Sequence, residues 1–316
     1  KTINVYKYLL DNVKKIAVFT DCDLDGLGSF LVFKWFTGLR VSHEICSQSN
    51  FRKTYTKWCS KNNPRNYDKI YIFDLDVSQS NLDLVDHDNV TIIDHHDTHV
   101  ANEDKYQHAT TILKDYSSCC KLLYTLLHKK YPDVKLTDEQ KTLVLMVDDY
   151  DSYELKLKDS YNLNVIVWSY VGDRAQQFTR DFISGFKGFT QSHLNMIHLN
   201  NKKVNRVLSE LEVYKGVIPI GGDKYKLFAT VADRCLNEVA HYVISKCDCD
   251  ICMVMNLRTR RVSFRKNKEN IPELDLGKLA QSIAEGGGHK HSSGGKITEQ
   301  VLTLTKMLSE TTISVL

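Results

Sequence analysis

Three short apolar runs of this chain end abruptly in acid, and that repetition limits the folds open to it. Ile16-Ala17-Val18-Phe19-Thr20 runs into Asp21, Asp23 and Asp25. Ile70-Tyr71-Ile72-Phe73 runs into Asp74, and Thr91-Ile92-Ile93 into Asp94-His95-His96. Short β-branched and aromatic runs read as buried strands. A buried strand gains nothing from ending in titratable groups unless something at its end needs them. Helical patterns separate the runs, so the strands belong to a parallel sheet with helices on both faces. Such sheets bind ligands at the carboxyl ends of their strands. The three acidic ends therefore share one rim.

The other expected elements follow in order. An amphipathic helix covers residues 3 to 14, with Val5, Tyr8, Leu9 and Val13 on one side. A helix runs from about Ser29 to Gly38, a strand over Val41 to Ser47 and a helix over Ser78 to Asp86. Two more helices span Ser117 to Tyr131 and Asp138 to Asp149. Asn50 to Asp68 is polar and basic, a surface helix and loop containing Tyr55 and Trp58. A long helical pattern from His193 to Tyr214 connects this part to a second one of different texture. There, two hairpins (Val217 to Thr230 and Ile251 to Phe264) flank a helix over Leu236 to Ser245. A helix over Leu276 to Ala284 runs into Gly286-Gly287-Gly288-His289, and a last helix spans about Thr298 to Leu308. The expected organisation is a domain over 1–192, a connecting helix over 193–216 and a smaller α/β domain over 217–316.

Composition sets the broad class. The 316 residues are 42% hydrophobic and 26% charged with net charge +3, an ordinary globular balance. No stretch approaches the roughly 18 apolar residues of a membrane span, so no membrane partner is expected. Lys1 to Val5 has no signal-peptide core. Nine scattered cysteines, odd in number and including adjacent Cys119-Cys120, argue against a disulfide framework. The expected setting is the reducing cytoplasm.

The acids define the chemistry. In an extended turn, Asp21, Asp23 and Asp25 point to one side, and without a cation their repulsion raises their pKa values. One Asp suffices to cap a helix; three do not. Gly26 and Gly28 let backbone approach a ligand. Asp74 alone reads as a cap, with Asp76 the weaker ligand of the two. Asp94-His95-His96 is hard to explain by packing. Asp148, Asp149 and Asp151 stand at a helix end where acids oppose the dipole. Many carboxylates with one or two His favour Mn²⁺, with Mg²⁺ the alternative, over Zn²⁺. Enough ligands are present for two ions, which clamp a phosphoryl group and ionise a water for in-line attack. In the second part, consecutive glycines with His289, Lys290 and Arg265 read as an anion cradle. Cys247, Cys249 and Cys252 lack a fourth zinc ligand at a familiar spacing.

Taken together and in order, Asp-x-Asp-x-Asp-Gly, an isolated Asp, Asp-His-His and a later Asp resemble the DHH phosphoesterase superfamily, whose members include RecJ-like nucleases and NrnA-like oligonucleotide phosphodiesterases. Gly286-Gly287-Gly288-His289 and the strand Val262-Ser263-Phe264-Arg265 resemble its DHHA1 substrate-binding domain. The resemblance spans residues 15 to about 297. It implies metal ligands at Asp23, Asp25, Asp74, His95 and Asp149, with Asp148 the competing choice and Asp151 in a supporting role. Asp21 joins them as in the RecJ branch, because Phe19 stands where many members have a His. The resemblance also implies that Asp25, His95 and His96 carry catalysis, and that His96, Arg265, Gly287, Gly288 and His289 hold substrate phosphate.

The expected function is Mn²⁺-dependent, exonucleolytic hydrolysis of short oligonucleotides or single-stranded nucleic acid, with a homodimer as a further expectation. The alternatives are hydrolysis of a signalling nucleotide (a cyclic dinucleotide or a 3′,5′-bisphosphonucleotide) and a catalytically silent nucleic-acid-binding module.

Overall fold

The computed structural model describes residues 15–39, 41–267 and 269–311. The helix expected over residues 3–14 lies outside them. The described residues fall into two compact units that divide between Ile197 and His198.

The first unit is built on five parallel strands: β1 (Ile16–Thr20), β2 (Ser42–Ile45), β3 (Lys69–Phe73), β4 (Val90–Asp94) and β5 (Thr110–Leu113), in the order β2-β1-β3-β4-β5. Its helices are α1 (Leu24–Thr37), α2 (Phe51–Cys59), α3 (Leu82–Val85), α4 (Asp97–Val100), α5 (Cys119–Lys130), α6 (Asp138–Asp151), α7 (Ser160–Ser169) and α8 (Arg174–Phe182), and α9 (Gln191–Ser209) contains the boundary between the units. One face of the sheet, with Val18, Phe73 and Ile93, packs on α1, α5 and α6. The other, with Phe19, Ile70 and Ile92, packs on α2 through Phe51, Tyr55 and Trp58. The continuous apolar runs follow from this double burial. Phe19 meets Trp58 edge-on with ring centroids 5.3 Å apart. The polar stretch after β2 is thus anchored by an aromatic core cluster.

Several expectations shift. Strand β5, helix α4 and helices α7 and α8 carry no strong pattern in the sequence. The helix expected over Ser78 to Asp86 contracts to α3, because Asp76 accepts from the Ser78 amide and hydroxyl and holds the chain in a turn there. Helix α1 begins five residues before the expected start, directly after the acidic turn. Asp23 is its N-cap, accepting from the Gly26 amide at 3.0 Å. The extended turn expected to converge three carboxylates is therefore a helix start. A Cβ on Gly26 would lie 2.3 Å from the Asp21 carbonyl oxygen, and one on Gly28 3.0 Å from a Val147 methyl. These glycines let the chain pack closely on itself.

The second unit carries β6 (Val213–Ile220), β7 (Asp223–Val231), α10 (Leu236–Lys246), β8 (Ile251–Asn256), β9 (Arg261–Lys266), α11 (Leu276–Ala284), β10 (Gly287–His289), β11 (Ser292–Lys296), α12 (Glu299–Thr305) and β12 (Ser309–Thr311). Its seven-stranded mixed sheet has the order β10-β11-β9-β8-β7-β6-β12. Helix α10 covers one face around Val239 and Val243. Helices α11 and α12 cover the other around Leu276 and Val301. Among the described residues, no helix is long and apolar enough to cross a membrane.

Because the Asp21 backbone blocks a Cβ at Gly26, Gly26→Ala is expected to destabilise the protein by about 1–3 kcal/mol, read as a lower urea midpoint with an unchanged slope.

Candidate metal centre

The strands β1, β3 and β4 lie side by side, so the residues that follow them meet at one end of the sheet. Asp25 comes from the first turn of α1, Asp74 directly follows β3, and His95 directly follows β4. His95 Nε2 lies 3.5 Å from an Asp25 oxygen, 3.4 Å from Asp74 and 3.4 Å from Asp151. His95, Asp25 and Asp74 are buried, and Asp151 is partly exposed.

The tautomer of His95 follows from its other nitrogen. Nδ1 lies 3.1 Å from the Tyr116 carbonyl oxygen, which can only accept, so Nδ1 carries a proton and donates it. In the neutral ring Nε2 then presents a lone pair to three carboxylates. That arrangement is repulsive on its own and suits a shared cation, and a second ring nitrogen fixed on a carbonyl is the usual way an imidazole ligand is oriented.

The acids show the same strain. Burial pushes Asp25 up to about 6, with the Asp23 charge adding and His95 and two amides opposing. Burial, then Asp25 and Asp23, hold Asp74 well above the ordinary carboxylate range. Burial, then the same two acids, do so for Asp151. Burial and the neighbouring Asp23 push Asp21 up to about 7. Asp74 also sits at φ +59°, a left-handed backbone that is uncommon outside glycine. Asp25 is placed by a second device: its two oxygens accept from the Cys119 and Cys120 amides at 2.7 and 2.8 Å, at the N-terminus of α5.

The expected ligand set thus separates. Asp25, Asp74 and His95 come together. Asp21 and Asp23 stand beside them in the turn after β1, outside the two groups of ligand atoms within 4.8 Å that the first unit forms by itself, Asp25–His95–Asp151 and Asp74–Asp94–His95–His96. Asp149 is not in the centre. Its carboxylate accepts from the Lys156 and Leu157 amides at 2.9 and 3.0 Å and from the Ser160 hydroxyl, holding the turn into α7. Asp148 binds Ser117, Ser118 and Lys121 across to α5. Helix α6 continues to Asp151, one turn from Asp148, and Asp151 takes the position expected for Asp149.

Asp94 is fully buried and organises its neighbours. One oxygen accepts from the His95 amide and His96 Nδ1, each at 2.8 Å, and the other from His99 Nδ1 at 2.6 Å. Burial alone would raise Asp94, but His96 and His99 hold it well below its ordinary value. Burial alone would lower His96, but the Asp94 charge and hydrogen bond push it up to about 10. Tyr106 steadies His99 through its hydroxyl at 2.7 Å. The sequence reading missed His99; its one signal is a third His within five residues of Asp94. Asp76 bonds Ser78 and Thr98 instead of facing the centre.

In the second unit, Gly287–His289 is an edge strand paired to β11, not an open loop. The Gly286 amide closes the end of α11 on the Ala280 carbonyl, and a Cβ there would lie 1.9 Å from the Gly294 oxygen. Part of the expected amide cradle is therefore used in packing. Arg265, Ser292 and His289 occupy one row across β9, β11 and β10 and share a sheet face. It is the face of α10, whose Asn237 accepts from Arg265 Nη2 at 2.5 Å.

Residues 15–147 match the family model of the DHH family, N-terminal domain, and this part of the chain is a DHH-family domain. Comparison with curated proteins finds no significant match. Among solved structures, a DHH domain described as a member of the s1p family of ribosomal proteins superposes with TM-score 0.63 at 14% identity, over 93% of this chain and 86% of that one. The exonuclease RecJ bound to manganese gives 0.55 at 12%, over 95% and 90%. A pGpG-specific phosphodiesterase, PggH from Vibrio cholerae, gives 0.54 at 14%, over 93% and 97%. These likenesses show a shared fold.

The two aspartates of α6 are separable by experiment. Asp151→Asn is expected to weaken Mn²⁺ binding at least about tenfold, measured by calorimetry, whereas Asp149→Asn is expected to lower the melting temperature and leave that affinity nearly unchanged. The His96–Asp94 pair gives a pH signature in metal-free protein. Because the folded value of His96 is raised, its stabilisation is complete below about 6.5 and fades as pH climbs towards about 10. The stability gap between wild type and His96→Gln is expected to close over that interval in urea titrations.

Proposed function

We propose that this chain is a divalent-metal-dependent phosphodiesterase that removes nucleotides from an end of short oligonucleotides or single-stranded nucleic acid. The observation that carries the reading is His95 Nε2, set 3.4–3.5 Å from Asp25, Asp74 and Asp151 while Nδ1 is fixed on the Tyr116 carbonyl. Carboxylate oxygens with one imidazole suit Mn²⁺ or Mg²⁺. Bound there, the metal would supply the positive charge that polarises a phosphoryl oxygen and lowers the pKa of a water.

The remaining roles belong to the protein's own groups. His96 is held as imidazolium by Asp94, with Nδ1 engaged, so its Nε2 is the atom suited to a substrate oxygen. Asp94, backed by His99 and Tyr106, fixes that ring and the start of α4. Asp21 and Asp23 add negative charge near the centre and favour a cation there. Arg265 and His289, in one row of the second sheet, have the chemistry to hold a substrate phosphate, and the resemblance of their motif to DHHA1 domains supports that role. The dinucleotide is the shortest substrate of the class, and the shared fold with a pGpG-specific enzyme makes it the first to try.

End-labelled DNA and RNA of two to about twenty nucleotides, incubated with Mn²⁺ or Mg²⁺, are expected to shorten stepwise from one end, and EDTA to stop the reaction. His95→Ala is expected to cost about a hundredfold or more in rate while the protein stays folded. If no length is cut with either ion, the reading fails.

A further inference from the structure

The sequence places four aromatic side chains near basic residues, where they could meet nucleic-acid bases: Tyr55, Trp58, Tyr106 and Trp168. Three are otherwise engaged. Tyr55 and Trp58 are buried in the core beneath α2. Tyr106 spends its hydroxyl on His99. Trp168, near the end of α7, keeps 53% of its surface exposed. An indole left this open loses the benefit of burial, so its position calls for another explanation.

Its surroundings supply one. The guanidinium of Arg174, the first residue of α8, lies 4.2 Å from the centre of the Trp168 ring. Its Nη1 donates to the carbonyl of Cys22 at 3.0 Å, in the turn between Asp21 and Asp23. Arg174 therefore ties the indole to the acidic turn, placing the ring centre within about 9 Å of the Cys22 oxygen by bond lengths. That turn leads directly into Asp25, one of the acids around His95. Val171, 89% exposed in the connection between α7 and α8, is a neighbouring apolar residue in sequence.

We propose that Trp168, backed by Arg174, is a stacking platform for the nucleobase attached to the phosphate held at the metal centre. The inference rests on the phosphodiesterase reading and adds a determinant of substrate choice to it. Charge selects the base over other parts of a nucleotide. Asp21 and Asp23 repel phosphate from this side of the turn, whereas an uncharged aromatic ring meets no such penalty. A guanidinium against an indole contributes a cation–π attraction and stiffens the ring, and base–aromatic stacking accepts any base because each has a π-face. Trp168 therefore favours a substrate that bears a base without choosing which base.

Trp35 and Trp58, the other two tryptophans, are buried, so quenching of intrinsic fluorescence by an added ligand reports chiefly on Trp168. Titration of the full chain with AMP or GMP is expected to quench saturably, ribose 5-phosphate is not, and the response is expected to vanish in Trp168→Leu. In turnover, Trp168→Ala is expected to raise KM for a dinucleotide about tenfold with kcat little changed. The same variant should handle a dinucleotide analogue with an abasic unit as wild type does, and Trp168→Phe should recover most of the loss. Absence of nucleotide quenching, or equal effects on base-bearing and abasic substrates, overturns the platform. Failure of every substrate to turn over overturns the phosphodiesterase reading, and the quenching titration still decides whether Trp168 binds a base.

Discussion

The first unit depends on one carboxylate that serves two partners. Asp25 accepts both leading amides of α5 and also faces His95 across the rim. The helix N-terminus satisfies its oxygens and moderates its charge, which allows an acid to stay in a buried position next to Asp74 and Asp151. The same bonds fix where α5 begins, and the N-cap Ser118 bonds Asp148 of α6. The first turn of α1, the start of α5 and the end of α6 are thus positioned through groups that also define the candidate centre. Loss of Asp25 would disturb scaffold and site together, which makes His95 the cleaner probe of chemistry.

Much of this was legible in the sequence because the signal was local. Apolar runs ending in acid marked β1, β3 and β4, and their alternation with helices implied the parallel sheet. Asp94-His95-His96 stood out because packing alone gives no reason for it. What the sequence hid was longer in range. Three acids close together on α6 look alike until their partners are known: Asp148 meets Lys121, Asp149 meets the turn into α7, and Asp151 alone reaches His95. Strand β5 is four residues with two threonines and has no sharp boundary signal. The start of α1 was displaced because Gly26 and Gly28 suggest a loop, whereas here they lie in a helix pressed against neighbouring backbone and side chains.

The second unit shows the same ambiguity of glycine. Read alone, Gly286-Gly287-Gly288 suggests amides held open for an anion. The structure uses Gly286 to let α11 meet β11 closely and Gly288, at φ +134°, to shape the edge strand. Arg265, Ser292 and His289 stand in register on one face of that sheet.

Asp74 carries a further consequence. It holds a left-handed backbone, at φ +59°, where glycine would be relaxed, and it is buried among acids that oppose its ionisation. By both measures, this is a poor residue for a stable fold. The fold therefore holds this carboxylate at the end of β3 against both its backbone preference and its own ionisation, so that the charge of a single side chain and the stability of the strand end that presents it are set against each other.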